Sequence, residues 1–284
     1  MILCHLFFER KNMMLRKLAE RLSREKIFIR RLPSKFSKTP LFVSPDAQLK
    51  YLKLGVKAFD KELLDITLEC VNKGDVVWDI GANVGVFTFA AASIIGTKGR
   101  VLSVEPDIWL ANLIQKSTRL RENQNLSVDV LPAAIANNCS IETFLVAARG
   151  RASNVLAKAG GRSQMGGYRE KNFVPTFSLD ELLKISEKPN FIKIDVEGAE
   201  VSVLKGAKKI LSESRPVIYC EVGPEYRAEV TEIFHSFQYK VFDGNLSKVS
   251  RFDNEKCAFN TLAYPTESLE MNSSNLPRIS DPRT

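Results

Sequence analysis

The chain has 284 residues, 44% of them apolar, enough for one large buried α/β core with or without a small appendage. Its five cysteines (Cys4, Cys70, Cys139, Cys220 and Cys257) are odd in number and lack any C-x-x-C spacing, which argues against a disulfide framework and against a zinc site. The net charge of +8 is local: Glu9–Lys38 holds 11 basic and 3 acidic residues, so the remainder is neutral and offers no broad basic face for nucleic acid.

In chain order, the apolar run Met1–Phe8 contains His5 and precedes Glu9, Arg10 and Lys11, whereas a secretory signal places its charges first. No apolar run approaches the roughly 18–20 residues needed to span a bilayer, and the expectation is a cytoplasmic protein. Residues 1–40 read as a basic arm, with Leu15, Leu18 and Leu22 at helical spacing and Pro33 and Pro40 breaking the pattern. Such an arm either packs as a solvated face on the main domain or makes peripheral contact with an anionic membrane.

Residues 41–265 read as the main domain. Asp60 is placed to cap a helix whose stripe includes Leu63, Leu64 and Val71. Lys73-Gly74-Asp75 then turns the chain into the strand Val76–Ile80. Strands follow at Arg100–Val104, Val128–Leu131, Ile141–Val146, Phe191–Ile194, Pro216–Cys220, Tyr239–Phe242 and Phe259–Tyr264. Helices are expected at Ile108–Arg121, Leu179–Leu183, Val201–Leu211 and Glu229–Phe237. Apolar strands alternating with helices imply a mostly parallel sheet covered on both faces, with Cys70 and Cys220 as small core residues. Arg149–Asn172, rich in glycine and basic residues, interrupts the alternation and reads as a lid. Residues 266–284, rich in Ser, Asn and Pro, read as a disordered tail.

The strongest chemical signal is Asp79-Ile80-Gly81-Ala82-Asn83-Val84-Gly85, a sharp turn between a strand and a helix. Gly81 and Gly85 permit close approach there, and a helix N-terminus offers N–H groups to a polar ligand. Asn83 stands where a dinucleotide fingerprint carries its middle glycine, so the crevice suits a ligand without a diphosphate. Glu105, at the tip of the next strand, can accept hydrogen bonds from both hydroxyls of a ribose. Asp195 ends the strand Phe191–Ile194 beside the same crevice, and Glu221 ends the one after it. Glu197 and Glu200 lie at a helix start, where the dipole favours negative charge, so each has a structural explanation as well. His235 sits in a helical stretch with no partner motif and reads as a surface residue.

Together these segments resemble the FkbM family of methyltransferases, from about Val43-Ser44-Pro45-Asp46 to about Tyr264-Pro265. The likeness rests on Asp79–Gly85, Glu105-Pro106, Phe177-Ser178-Leu179-Asp180, Lys193–Glu200, Leu204-Lys205-Gly206-Ala207 and the Glu221 strand. It implies a Rossmann-like class I methyltransferase fold, with a mostly parallel seven-stranded sheet and helices on both faces. It also implies S-adenosylmethionine as methyl donor and a hydroxyl on a sugar, glycan or natural product as acceptor. Gly81, Asn83 and Gly85 would then approach the methionine part of the donor, Glu105 its ribose, and Ala133 and Ala134 its adenine. Asp79 would hold the turn or contact the amino group. Asp195 would orient or deprotonate the acceptor hydroxyl, with Glu197 and Glu221 as further candidates, unless these carboxylates hold a divalent cation. Two alternatives stand beside this reading: a nicotinamide-dependent oxidoreductase, disfavoured by Asn83, and a non-catalytic S-adenosylmethionine-binding scaffold.

Overall fold

A computed structural model describes residues 20, 22–148, 150–159 and 167–271. The chain enters through an antiparallel hairpin of β1 (Phe28–Arg31) and β2 (Pro40–Val43). Helix α1 (Lys61–Cys70) leads to β3 (Val76–Ile80), α2 (Val86–Ile95), β4 (Arg100–Val104), α3 (Ile108–Thr118) and β5 (Val128–Leu131). Four further strands follow: β6 (Ala134–Ile135), β7 (Ser140–Ala147), β8 (Val155–Leu156) and β9 (Tyr168–Phe177). After α4 (Leu179–Leu182) come β10 (Phe191–Ile194), α5 (Glu200–Lys205), β11 (Val217–Glu221), α6 (Arg227–Ser236), β12 (Tyr239–Asp243), β13 (Asn260–Pro265) and α7 (Thr266–Met271).

The main sheet has seven strands in the order β12-β13-β11-β10-β3-β4-β5. Neighbours are parallel except β13, which runs antiparallel to both β11 and β12. From β3 the chain winds outward through β4 and β5, then returns to β10 on the other side of β3. The direction of winding therefore reverses between β3 and β10, and open α/β sheets hold their ligands at the carboxyl ends of such a switch point. Ile80 lies level with Val104 on one side and Ile194 on the other, so three strand tips end flush around that crevice.

Alternation along β3 feeds two cores, because successive side chains point to opposite faces. Val77 packs with Phe87, Ala91 and Ile66 under α1 and α2, whereas Trp78 and Ile80 pack with Leu179, Val203 and Phe234 under α4, α5 and α6. Helix α2 carries an almost unbroken apolar sequence because it is covered nearly all round, with eight of its ten residues buried. Each such Val, Ile or Phe contributes roughly 1.5–3 kcal/mol on full burial.

Several sequence expectations change. Asp60 makes no side-chain cap bond at the start of α1; its carboxylate pairs with Lys50 instead. The boundary drawn at residue 40 falls inside the β1–β2 hairpin, and Leu32, Phe36, Leu41 and Val43 are buried against Phe89 and Leu113. The rest of the basic arm, including Leu15 and Leu18, lies outside the described residues. Residues 266–271 are helical and Leu269 is buried, so the expected tail begins too early; residues 272–284 lie outside the described residues. Cys220 is buried as expected, but Cys70 is only half-buried, 3.5 Å from the Tyr264 hydroxyl.

The largest change concerns Arg149–Asn172. Rather than forming one long lid loop, its described part supplies β8 and the first half of β9, and β9 pairs antiparallel with β7 across eight registered positions. These strands and β6 form a second sheet, ordered β6-β9-β7-β8, around Ala134, Phe144, Val146, Leu156 and Val174. Arg149 and residues 160–166 lie outside the described residues.

Candidate functional site

The turn after β3 is held by its own backbone. Gly81, Asn83 and Gly85 all have positive φ (78°, 55° and 85°), the left-handed region that glycine enters freely and Asn more readily than most. At Gly81 the need for glycine is also steric: a Cβ would lie 1.8 Å from the carbonyl oxygen of Asp195 on β10. The close approach is thus between two strand ends of the protein. Gly85 precedes α2, and a Cβ there would press on Phe89 and Ile114 at 3.2–3.3 Å. The amides of the turn are already used. Gly81 and Ala82 donate to the Val104 carbonyl (2.9 and 3.1 Å), Gly85 to Ala82 (2.8 Å) and Asn83 to Glu105 (2.7 Å). The expected row of free N–H groups at this turn is therefore not found at these four positions.

Asp79 takes the turn-holding alternative. It is fully buried, accepts a hydrogen bond from the Thr88 hydroxyl (2.6 Å) and faces the Lys193 ammonium at 3.3 Å. Lys193 projects from β10 into the same place, donates to the Gly81 carbonyl (2.7 Å) and reaches Asp195 at 3.4 Å. Desolvation works to lower its pKa, but Asp79, Asp195 and Glu221 outweigh this and raise it, so Lys193 remains an ammonium ion.

Two cavities open at the switch point. The first is a mostly apolar slot whose floor includes Val104, Leu110, Ala133, Ala134 and Ile135, roofed by Phe144, Val155 and Leu156 of the second sheet. Gly81, Asn83 and Glu105 line it, whereas Asp79 and Gly85 do not. Glu105 is only 5% exposed, and each carboxylate oxygen accepts one backbone N–H, from Asn83 (2.7 Å) and Asp107 (2.8 Å). A carboxylate has about four acceptor sites, so both oxygens can accept again. Burial pushes this carboxyl up to about 8, against the opposing pull of its two backbone donors and Lys193. The amide oxygen of Asn83 is buried without a hydrogen-bond partner. An apolar slot edged by a buried carboxylate and an unmet amide oxygen fits a nucleoside that brings ring surface, hydroxyls and an ammonium group.

A buried ionic clasp closes the slot. Arg151, 5% exposed, reaches Asp107 (2.6 Å), Asp46 (3.2 Å) and Glu170 (3.2 Å), and stacks over Trp109 at 4.8 Å from the ring centre. Asn154 also donates to Asp107 (2.8 Å), and Arg169 donates to Asp46 (2.7 Å). The segment after β7 is thus tied to the start of α3 and to the chain before α1. This clasp escapes sequence reasoning because one arginine among six basic residues in a glycine-rich stretch carries no distinguishing pattern. Lys193 did leave a signal, a charge between Ile192 and Ile194 in an otherwise apolar strand.

The second cavity is a polar cleft on the other side of the turn. Its lining includes Tyr51, Lys193, Asp195, Glu197, Tyr219 and Glu221. Asn83, Asp195 and Glu197 line both cavities and form the passage between them. The three carboxylates expected from the sequence are therefore brought together here. The Asp195 side chain is 28% exposed and faces Lys193. Glu197 has a positive φ of 54°, and Glu221 ends β11 opposite Asn260. Glu200 is buried and accepts the Gly198 N–H (2.8 Å), the helix-start role. His235 is exposed on α6, away from both cavities. Among the described residues no group of three or more His, Cys, Asp or Glu is arranged to hold a metal ion. The Lys193 ammonium fills the space between Asp79 and Asp195.

A doubly wound seven-stranded sheet with one antiparallel strand, and an apolar slot edged by a buried carboxylate at its switch point, defines the Rossmann-like class I methyltransferase fold. The family model of the Methyltransferase FkbM domain matches residues 79–241, more than half of the sequence, and the chain belongs to that family. The family's methyl donor is S-adenosylmethionine, which removes the nicotinamide-dependent oxidoreductase alternative. The hexuronic acid methyltransferase AglP of Haloferax volcanii is 30% identical over 167 residues, 56% of this chain and 61% of that protein. The chain thus spans about three-fifths of the length of this curated relative. Among solved structures, the FkbM methyltransferase of Methylobacillus flagellatus matches with a TM-score of 0.42 at 16% identity, covering 78% of this chain and 58% of that one. A SAM-dependent methyltransferase of Aquifex aeolicus matches with a TM-score of 0.40 at 14% identity, covering 82% and 98%. The fold class rests on the strand order rather than on these likenesses.

Proposed function

We propose that the chain transfers the methyl group of S-adenosylmethionine to a hydroxyl oxygen of a sugar or glycan. The observation that carries this is the meeting of an apolar slot and a polar cleft at Asn83, Asp195 and Glu197. When bound, S-adenosylmethionine supplies an electrophilic methyl carbon on a good leaving group. Ala133 and Ala134 form the wall for its adenine, and Glu105 accepts hydrogen bonds from the ribose hydroxyls. The Asn83 amide oxygen accepts from its ammonium group. Alignment of acceptor and methyl carbon supplies much of the rate in a direct displacement. Asp195 holds the acceptor hydroxyl and takes its proton as the new C–O bond forms and the C–S bond breaks. Lys193 fixes the carboxylate of Asp195 in place and balances its charge. The relative's action on a hexuronic acid supports a sugar-like acceptor.

Incubation with methyl-labelled S-adenosylmethionine and a panel of glycosides tests this, with the product analysed by mass spectrometry and alkaline treatment. A base-stable methyl ether is the expected product. Donor binding with no transfer to any hydroxyl would return the chain to the scaffold alternative.

A further inference from the structure

Resting on that reading, we infer that the acceptor is a ring bearing several hydroxyl or amino groups and no anionic group, so that a neutral or amino sugar is preferred over a uronate or a sugar phosphate. Two independent observations on the polar cleft point the same way. The first is charge. Its lining carries five carboxylates, Asp60, Glu62, Asp195, Glu197 and Glu221, against two ammonium groups, Lys50 and Lys193. Both ammonium groups are already committed, Lys50 to Asp60 and Lys193 to Asp79 and Asp195. A second carboxylate or a phosphate brought in here meets like charge and finds no cation without a partner among those lining the cleft; like charges set face to face are a strong means of rejecting a partner.

The second observation is the inventory of hydrogen-bonding groups. Besides Asn83, whose amide oxygen is assigned to the donor, two side-chain amide oxygens on residues that line the cleft, Gln48 and Asn260, are buried with no hydrogen-bond partner. Unmet acceptors in a binding cleft are costly until a ligand supplies donors. Hydroxyl and ammonium groups are donors, whereas a carboxylate or phosphate brings only further acceptors. Tyr51 and Tyr219 also border the cleft but are buried, and burial, the main cause, raises both phenol pKa values, so neither adds an anion to it. The acceptor preference of this chain thereby departs from the hexuronic acid named for its relative.

The test uses the full chain saturated with S-adenosylhomocysteine and three probes: methyl glucoside, methyl glucosaminide and methyl glucuronide. Ligand-observed NMR measures binding of each, turnover is followed in parallel with the methyl donor, and both are repeated at high salt. The expected result is that the glucoside or the glucosaminide binds at least about tenfold more tightly than the glucuronide, a difference that shrinks as salt screens the cleft. Glu62→Gln, at the exposed rim, should narrow the difference, chiefly by strengthening binding of the glucuronide. Glucuronide binding that equals or exceeds the other two overturns this inference and leaves methyl transfer intact. Failure of all three to bind while S-adenosylhomocysteine still binds overturns the sugar reading and this inference with it. Failure of S-adenosylhomocysteine itself to bind overturns the proposed donor site.

Discussion

The two cavities that meet at Asp195 are built in different ways. The apolar slot, which we propose for the methyl donor, is framed by consecutive strand tips of the parallel sheet and roofed by the second sheet. Its one buried acid, Glu105, is braced by backbone N–H groups, and an ionic clasp of Arg151 with Asp46 and Asp107 seals its edge. The polar cleft, proposed for the acceptor, draws its walls from segments far apart in sequence, around residues 48–63, 82–87, 193–197, 219–221 and 245–260, and part of its rim is exposed. A slot braced by backbone is suited to one fixed ligand, because preorganised groups lose little freedom on binding. A cleft lined by side chains from scattered segments can change its acceptor by substitution at positions other than Asn83, Asp195 and Glu197, which line both cavities.

That contrast predicts how the two sites break. The largest expected effect is on the clasp. Arg151→Ala removes the central cation of a buried charge network, leaving Asp46 to Arg169 alone and Asp107 to hydrogen bonds without this cation, a loss of about 3–5 kcal/mol of stability by analogy with other buried pairs. Chemical denaturation measures this directly, and a loss under about 1 kcal/mol would show that the clasp is not closed in solution. Gly81→Ala comes next. Its methyl group would lie 1.8 Å from the Asp195 carbonyl at a φ of 78°, so the tips of β3 and β10 must part. A destabilisation of about 3 kcal/mol follows from overpacking and the positive φ together. Activity should fall further than stability alone accounts for, because Asp195 itself is displaced.

Glu105→Gln is smaller and sharpens the comparison, since it should weaken the donor without altering acceptor preference. Above about pH 8, where Glu105 is ionised, loss of a charged acceptor for two hydroxyls predicts donor binding weaker by about 10–100-fold in calorimetry. The pH dependence follows from a carboxyl pushed up to about 8. The folded state holds the proton more tightly than the unfolded state, so Glu105's contribution to stability is full below the unfolded value of 4.5 and declines as pH rises from there to about 8. Donor affinity moves the other way, rising through about pH 8 as the ionised form becomes available. The Gln variant should lack both slopes.

The same contrast explains what could be read from the sequence. Strand tips and turns are local, so Asp79–Gly85, Glu105 and Asp195 could be placed from spacing and apolar periodicity, whereas the winding reversal needs the strand order. What local patterns cannot show is which groups already serve one another. The turn amides looked available but are bonded to Val104 and Glu105, and Asp79, open to either a turn-holding or a ligand role, is sealed against Thr88 and Lys193. The clasp and the second sheet depend on pairings such as Asp46 with Arg151 and Thr143 with Phe173, tens of residues apart. A basic, glycine-rich stretch gives no sign of which partner its strand will find. Lys193 is the instructive intermediate, conspicuous as a charge in an apolar strand yet explicable only once Asp79, Asp195 and the Gly81 carbonyl surround it.

The placing of Asp195 where donor slot and acceptor cleft join is tested most directly by the steady-state kinetics of Asp195→Asn, alongside calorimetric binding of S-adenosylhomocysteine. Turnover should fall by at least about 100-fold, in line with the loss of a positioned acid–base group, while affinity for S-adenosylhomocysteine stays within about threefold of wild type. Turnover close to wild type in the Asn variant, with that affinity unchanged, would contradict the assignment of Asp195 to the reacting hydroxyl.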